Sequence, residues 1–209
     1  MLSSLAAVAS AETWRFDAQK PGEPQGLSCA LTGKGRPGVW KVVADPTAPS
    51  VPNALAQTDA DATGYRFPLC VANGATATDL DLSVRFKPVS GSGDQAAGLV
   101  WRYRDKDNYY IVRANALENN VVLYKVENGK RSSLDTVGAP GAYGKKATVP
   151  SGRWSALRVT ARGRRFEVFL DGEKLFDVED GTFPSAGQVG VWTKADSVTL
   201  FDDFSYGAK

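Results

Sequence analysis

The segment DLDLSVRFK, residues 79–87, alternates without a break. Leu80, Leu82, Val84 and Phe86 would point to one side of an extended chain, and Asp81, Ser83, Arg85 and Lys87 to the other. A side-chain period of two marks a strand with one buried and one solvated face. Read outward from it, the same signal predicts strands at 96–104, 108–115, 119–126, 153–162, 165–171, 173–178, 187–194 and 197–206. Weaker strands are predicted at 13–17, 38–43, 53–58 and 65–72. No segment carries the period of a long amphipathic helix. Asn128-Gly129 and Asp171-Gly172 each sit between strand-like runs, and these dipeptides tolerate positive φ, so each predicts a hairpin. Pro- and Gly-rich stretches at 21–26, 45–52 and 138–152 read as loops. Many short antiparallel strands with two-faced patterning predict an all-β fold, a two-sheet sandwich or jelly roll.

The chain has 209 residues, 43% of them hydrophobic, which suits one domain with a real core. Its formal net charge of +2 supplies no strong field for nucleic acid or an anionic membrane. No Lys/Arg block, zinc-finger spacing or RNA-recognition signature is present, so no nucleic-acid partner is expected. There is no histidine. That excludes Ser-His-Asp and Cys-His catalysis and every histidine-containing metal site. Cys29 and Cys70 are too few for an all-cysteine zinc site. They read either as one disulfide of an exported protein or as two separate buried thiols. The opening MLSSLAAVASAETWRF has a short apolar run ending in Ala9-Ser10-Ala11, the pattern of a secretory cleavage site. Residues 1–11 therefore read as a signal-peptide remnant and 12–209 as a single jelly-roll domain, periplasmic or secreted. No later apolar run is long enough to span a bilayer.

Three stretches carry a family resemblance: AGLVWRYRDKDNYYIVRANALENNVVLYKVENGKR (97–131), GRWSALRVTARGRRFEVFLDGEKLFDVED (152–180) and GQVGVWTKADSVTLFDDFSY (187–206). In content and order they resemble the concanavalin A-like, laminin-G-like jelly rolls. They are most similar to the 3-keto-disaccharide hydrolase domain family and its exported bacterial relatives, over roughly residues 12 to 206. The resemblance implies a sandwich with a concave sheet. For function it leaves three readings open: an exported carbohydrate-recognition module, a glycoside-processing hydrolase, and an envelope protein-interaction domain.

The E-x-D-x-E strand motif of jelly-roll glycosidases is absent; EVFLD (167–171) spaces its acids by four. Acids from distant strands remain as catalytic candidates, namely Glu118, Asp196 and Asp107. GSGDQA (91–96) mimics a dinucleotide fingerprint but precedes a strand, so it reads as a loop. Asp17, Asp202 and Asp203 lie where the chain ends would meet. They read as ligands of a structural calcium, the one cofactor considered, or as strand-end caps. Alternation assigns Leu99, Trp101, Tyr103, Tyr110, Val112, Val189, Val191 and Thr193 to the interior. Arg102, Tyr109, Arg113, Asn115, Trp192 and Lys194 then fall on the opposite face, expected to be an open concave surface. Aromatic rings that stack on sugars and cationic or amide groups that bond adjacent hydroxyls make this a candidate carbohydrate site.

Overall fold

A computed structural model describes residues 11–209. Residues 1–10, nearly all of the predicted leader remnant, lie outside the described residues. The strands, in chain order, are β1 (Glu12–Trp14), β2 (Leu27–Gly33), β3 (Trp40–Ala44), β4 (Asn53–Gln57), β5 (Arg66–Ala77), β6 (Leu80–Ser90), β7 (Ala96–Asp105) and β8 (Asn108–Asn115). The second half contributes β9 (Asn120–Glu127), β10 (Lys130–Ser133), β11 (Lys145–Lys146), β12 (Ser155–Arg162), β13 (Arg165–Leu170), β14 (Glu173–Glu179), β15 (Gly187–Trp192) and β16 (Val198–Ala208). No helix of the described chain is long and apolar enough to cross a membrane.

These strands form two antiparallel sheets stacked as a sandwich. The first runs β14-β13-β12-β6-β16-β4-β3, with β1 paired to β16. The second runs β10-β9-β8-β7-β15-β5-β2, with β11 paired to β9. The period-two reading of β6 holds: Leu80, Leu82, Val84 and Phe86 are buried between the sheets, and their neighbours are half-exposed. Leu99, Trp101, Tyr110, Val112, Val189 and Val191 meet them from the second sheet, as the alternation predicts. Both predicted hairpin turns carry positive φ at both central residues, Asn128-Gly129 and Asp171-Gly172. Three strands escaped the sequence reading: β2, β10 and β11. All three are at or beside sheet edges, short or polar in pattern, and they pair through backbone groups that side-chain periodicity does not report.

Cys29 and Cys70 are joined in a disulfide, linking β2 to β5 across directly paired positions. That decides between the two sequence readings of the cysteines.

The alternation fails at Arg102. This residue adopts φ 48°, and the β7–β8 register shifts after Trp101. The left-handed residue turns the chain over. Arg102 follows Trp101 to the interior side, with its guanidinium 5.4 Å from the Phe166 ring centroid, whereas Tyr103 swings to the other face. The expectation of an outward Arg102 and an inward Tyr103 is thereby corrected. Arg102 Nε donates to the Thr78 carbonyl at 3.0 Å, Nη1 to Phe183 at 2.8 Å and Nη2 to Gly163 at 2.6 Å. One buried cation thus ties three chain segments at the edge of the sandwich, with Asp79 3.6 Å away. Removing it strands carbonyls that its charge had solvated. Arg102→Met should lower unfolding free energy by about 3 kcal/mol in urea titration; a change within about 0.5 kcal/mol would show that the three carbonyls find other donors.

Candidate functional site

The outer face of the second sheet is where the sequence places a site, and the structure largely closes it. Phe67, Leu69, Val100, Tyr109, Ile111, Val122, Tyr124 and Trp192 form a second buried apolar cluster there, distinct from the core between the sheets. Gly98 on β7 makes room for it: a Cβ would lie 2.3 Å from Ile111 Cδ1 and 3.3 Å from the Trp192 indole. Two diagonally opposite corners of the twisted sheet close over this cluster. Tyr65, just before β5, donates from Oη to the Gly129 carbonyl at 3.1 Å and accepts from Arg131 N–H at 2.5 Å. Thr32 on β2 donates to the Lys106 carbonyl in the β7–β8 turn, and Tyr109 Oη lies 2.8 Å from its Oγ1. The Arg131 guanidinium then lies over the rings of Tyr124 and Phe67, 4.4 and 4.5 Å from their centroids. Tyr109 and Trp192 do share the outer face, as the alternation requires, but both are fully buried. Their expected exposure is corrected. A face whose side chains are this apolar is covered by protein rather than left to water.

Partly exposed polar side chains mark the mouth of this face, where β8 ends and β9 begins. Arg113, Asn115 and Lys194 from the predicted patch converge there with Glu118. Arg113 grips Glu118 with both terminal nitrogens, Nη1 to Oε1 at 3.0 Å and Nη2 to Oε2 at 2.8 Å. Arg113 Nη2 also donates to Asn120 Oδ1 at 2.6 Å, while Asn120 Nδ2 donates to Glu118 at 3.0 Å. Asn115 Nδ2 bridges Glu118 at 3.1 Å and Asp94 at 2.8 Å. Lys194 Nζ completes the chain with 2.8 and 3.0 Å contacts to Asp94. The Arg113 cation also faces the Tyr124 ring at 5.6 Å, and Tyr124 Oη is 2.5 Å from Tyr143 Oη. Arg113 and Asn115 form the buried floor of this network, so their expected exposure is corrected as well. The accessible members are Glu118, with its side chain 35% exposed, and Lys194, at 19%. Tyr143 stands out at the rim, 52% exposed.

Asp94 occupies this network because of the loop that resembled a nucleotide fingerprint. The backbone N–H groups of Ser92, Gly93 and Asp94 all donate to the Asp196 carboxylate, at 2.7, 2.9 and 2.8 Å. The loop is an anion nest whose anion is the chain's own. Asp196 is therefore a positioning group: it holds Asp94 against Lys194 and Asn115. Burial opposes its ionisation, and the three N–H donors outweigh burial, leaving its carboxyl below the ordinary value. Asp107 lies apart, in the β7–β8 turn, paired to Lys106 at 2.7 Å. Of the three acids considered for catalysis, only Glu118 belongs to the mouth.

The three acids considered as calcium ligands each have partners within the chain. Asp203 pairs with Arg15 at 2.9 Å. Asp202 accepts from Ser50 N–H at 2.7 Å and from Asp203 N–H at 2.7 Å. Asp17 accepts from Asn53 N–H at 3.3 Å. Among the described residues, no group of three or more His, Cys, Asp or Glu side chains is arranged to hold a metal ion.

Residues 32–204 match the model of the 3-keto-alpha-glucoside-1,2-lyase-like domain. The chain belongs to that family. A levanase of Bacillus subtilis (strain 168) is 28% identical over 168 residues, which is 78% of this chain and 22% of the levanase. The chain thus spans about a fifth of the length of that relative. A carbohydrate binding module, CBM66, from Bacillus subtilis superposes with a TM-score of 0.66 at 20% identity, covering 90% of this chain and all of that one. Domain 4 of AbnA, an extracellular GH43 arabinanase from Geobacillus stearothermophilus solved with arabinotriose, gives 0.59 at 12% identity over 96% of this chain and 93% of that domain. These structural likenesses carry the jelly-roll fold.

Burial works against charge on Glu118, but Arg113, Asn120 and Lys194 outweigh it and hold its carboxyl below the ordinary range. A depressed folded-state pKa contributes stability above the unfolded value of about 4.3, lost as pH falls through the folded one. Glu118→Gln should therefore unfold at lower urea than the parent at pH 7, with the gap narrowing below about pH 4. A gap independent of pH would show that the carboxylate's charge contributes nothing.

Proposed function

We propose that this chain is a carbohydrate-recognition module that binds a glycan at the mouth formed by Glu118, Lys194, Asp94 and Tyr143. The observation that carries this reading is the partly exposed polar network at the mouth, in which Glu118 accepts four hydrogen bonds from Arg113, Asn115 and Asn120 and is fixed before any ligand arrives. A sugar hydroxyl needs partners already oriented, because immobilising a free side chain costs about as much as the bond returns. Lys194 supplies a donor beside it, and the exposed Tyr143 ring offers an apolar face for a pyranose or furanose. The carbohydrate-binding module and the arabinotriose-bound domain among the structural relatives support the same partner class.

Export is part of the proposal. A disulfide persists in oxidising compartments, and the leader-like pattern at 1–11 points the same way. Periplasm and exterior are both compatible with it.

Family membership favours a second reading, a sugar-processing enzyme of the lyase-like type. At the mouth its acid or base would be Glu118, which is held ionised and so acts poorly as a proton donor.

A glycan array on the purified chain, followed by calorimetry on the best ligand, tests the proposal. Glu118→Gln and Lys194→Ala should each weaken binding by about tenfold, some 1.4 kcal/mol, with the fold retained by circular dichroism. Absence of binding to every glycan, or full affinity in both variants, would overturn it. Turnover of a 3-keto-glucoside that Glu118→Gln abolishes would establish the enzyme instead.

A further inference from the structure

The other end of β7 carries a second opening that the mouth does not use. Arg113, at the mouth, is paired with Gly98 near the start of β7, whereas Arg102 lies four residues further along the strand. There the turn between β12 and β13 meets the loop from β14 to β15, and the two enclose a cleft of about 490 Å³. That volume is in the range of small-ligand pockets. Arg102 forms part of its lining and holds the loops on both sides of it through the Gly163 and Phe183 carbonyls.

Two side chains in this cleft have unused bonding capacity. Asp180 Oδ1 accepts from Tyr110 Oη at 2.5 Å and from Thr182 N–H at 2.7 Å. Its Oδ2 receives no hydrogen bond among the described residues; the nearest cation, Lys125 Nζ, is 3.8 Å away. One oxygen fixes the carboxylate, and the other is a pre-oriented acceptor. Arg164 makes no side-chain hydrogen bond or ion pair among the described residues, yet it has a fixed seat. Its side chain lies across Gly181, where a Cβ would come within 2.9 Å of Nε and 3.3 Å of Cδ. The Asp180 N–H donates to the Arg164 carbonyl at 2.9 Å, so the two side chains arise from adjacent points of the wall.

We propose that this cleft is a second ligand site, which holds a vicinal diol of a neutral saccharide between the Asp180 carboxylate and the Arg164 guanidinium. Two unused groups of opposite character select the class: Asp180 Oδ2 can accept from a hydroxyl, and the Arg164 guanidinium can donate to a neighbouring oxygen. One hydroxyl donates to Asp180 Oδ2, its neighbour accepts from Arg164, and Thr182 lines the same wall. The site does not depend on the glycan reading of the mouth, and with it the chain would hold two points on one polymer.

The test is an NMR titration of the isotopically labelled chain with fructose, glucose, arabinose and sucrose, each to about 100 mM, a range that reports millimolar affinity. The Gly163, Arg164, Gly181 and Thr182 amides should shift and saturate with at least one sugar. Arg164→Ala should weaken that response about fivefold or more. Gly181→Ala should do the same by displacing the arginine while leaving the loop intact, and Glu118→Gln should leave it unchanged. Silence of these amides with all four sugars, a response that does not saturate, or equal affinity in Arg164→Ala and Gly181→Ala would overturn the proposal. Loss at the mouth alone in Glu118→Gln would separate the two sites.

Discussion

Burying both faces of one sheet is the constraint on which the rest of this structure depends. The inner face of the second sheet packs against the first, as in any sandwich. Its outer face carries Phe67, Tyr109, Tyr124 and Trp192, which cannot be left to water. Full burial of a large apolar side chain is worth roughly 1.5–3 kcal/mol. Four such rings outweigh the few hydrogen bonds that draw the sheet corners together, each worth about 1 kcal/mol net. The corners therefore follow the rings: Tyr65 reaches Gly129, Thr32 reaches Lys106, and Arg131 lies across the gap. A guanidinium suits that position because it stacks on aromatic faces and is weakly hydrated. The disulfide joins β2, which carries Thr32, to β5, whose first residues follow Tyr65, so the covalent link lies in the strand pair that closes the face.

This explains how far the sequence could be read. Alternation tells which residues share a face, and it does so correctly for Leu99, Trp101, Tyr110 and Val112 on one side and Tyr109 and Trp192 on the other. It does not tell what lies beyond a face. Tyr, Arg and Trp are found both on open sheets and under protein, so exposure could not be inferred from their identity. Arg102 marks a second limit. A single left-handed residue reverses the order of faces, and a non-glycine in that conformation leaves no sign in the sequence.

Within the mouth, the sequence reached Arg113, Asn115, Glu118 and Lys194 and missed Asp94, Asn120, Tyr124 and Tyr143. The first group lies in or beside strands whose pattern was clear. Asp94 sits in a glycine-rich loop, and its place is set by Asp196, about a hundred residues away, through three backbone N–H groups. Such long-range anchoring has no local signature. The GSGDQ stretch did carry a true signal, an anion-binding nest, but its anion is internal. The acids near the chain ends show the same long-range anchoring: Asp202 accepts from Ser50, Asp17 from Asn53, and Asp203 pairs with Arg15.

The absence of histidine gives the carboxylates their character. With no imidazole to share protons near neutral pH, every acid at the mouth is matched to a permanent cation or to backbone N–H groups. Glu118 is held ionised by Arg113, and Asp196 by its nest, so neither changes charge in the physiological range. A network built this way keeps one hydrogen-bonding pattern across wide pH and resists reorganisation. Those properties serve recognition, where the acceptor should already be in place. They hinder general acid catalysis, where a proton must move.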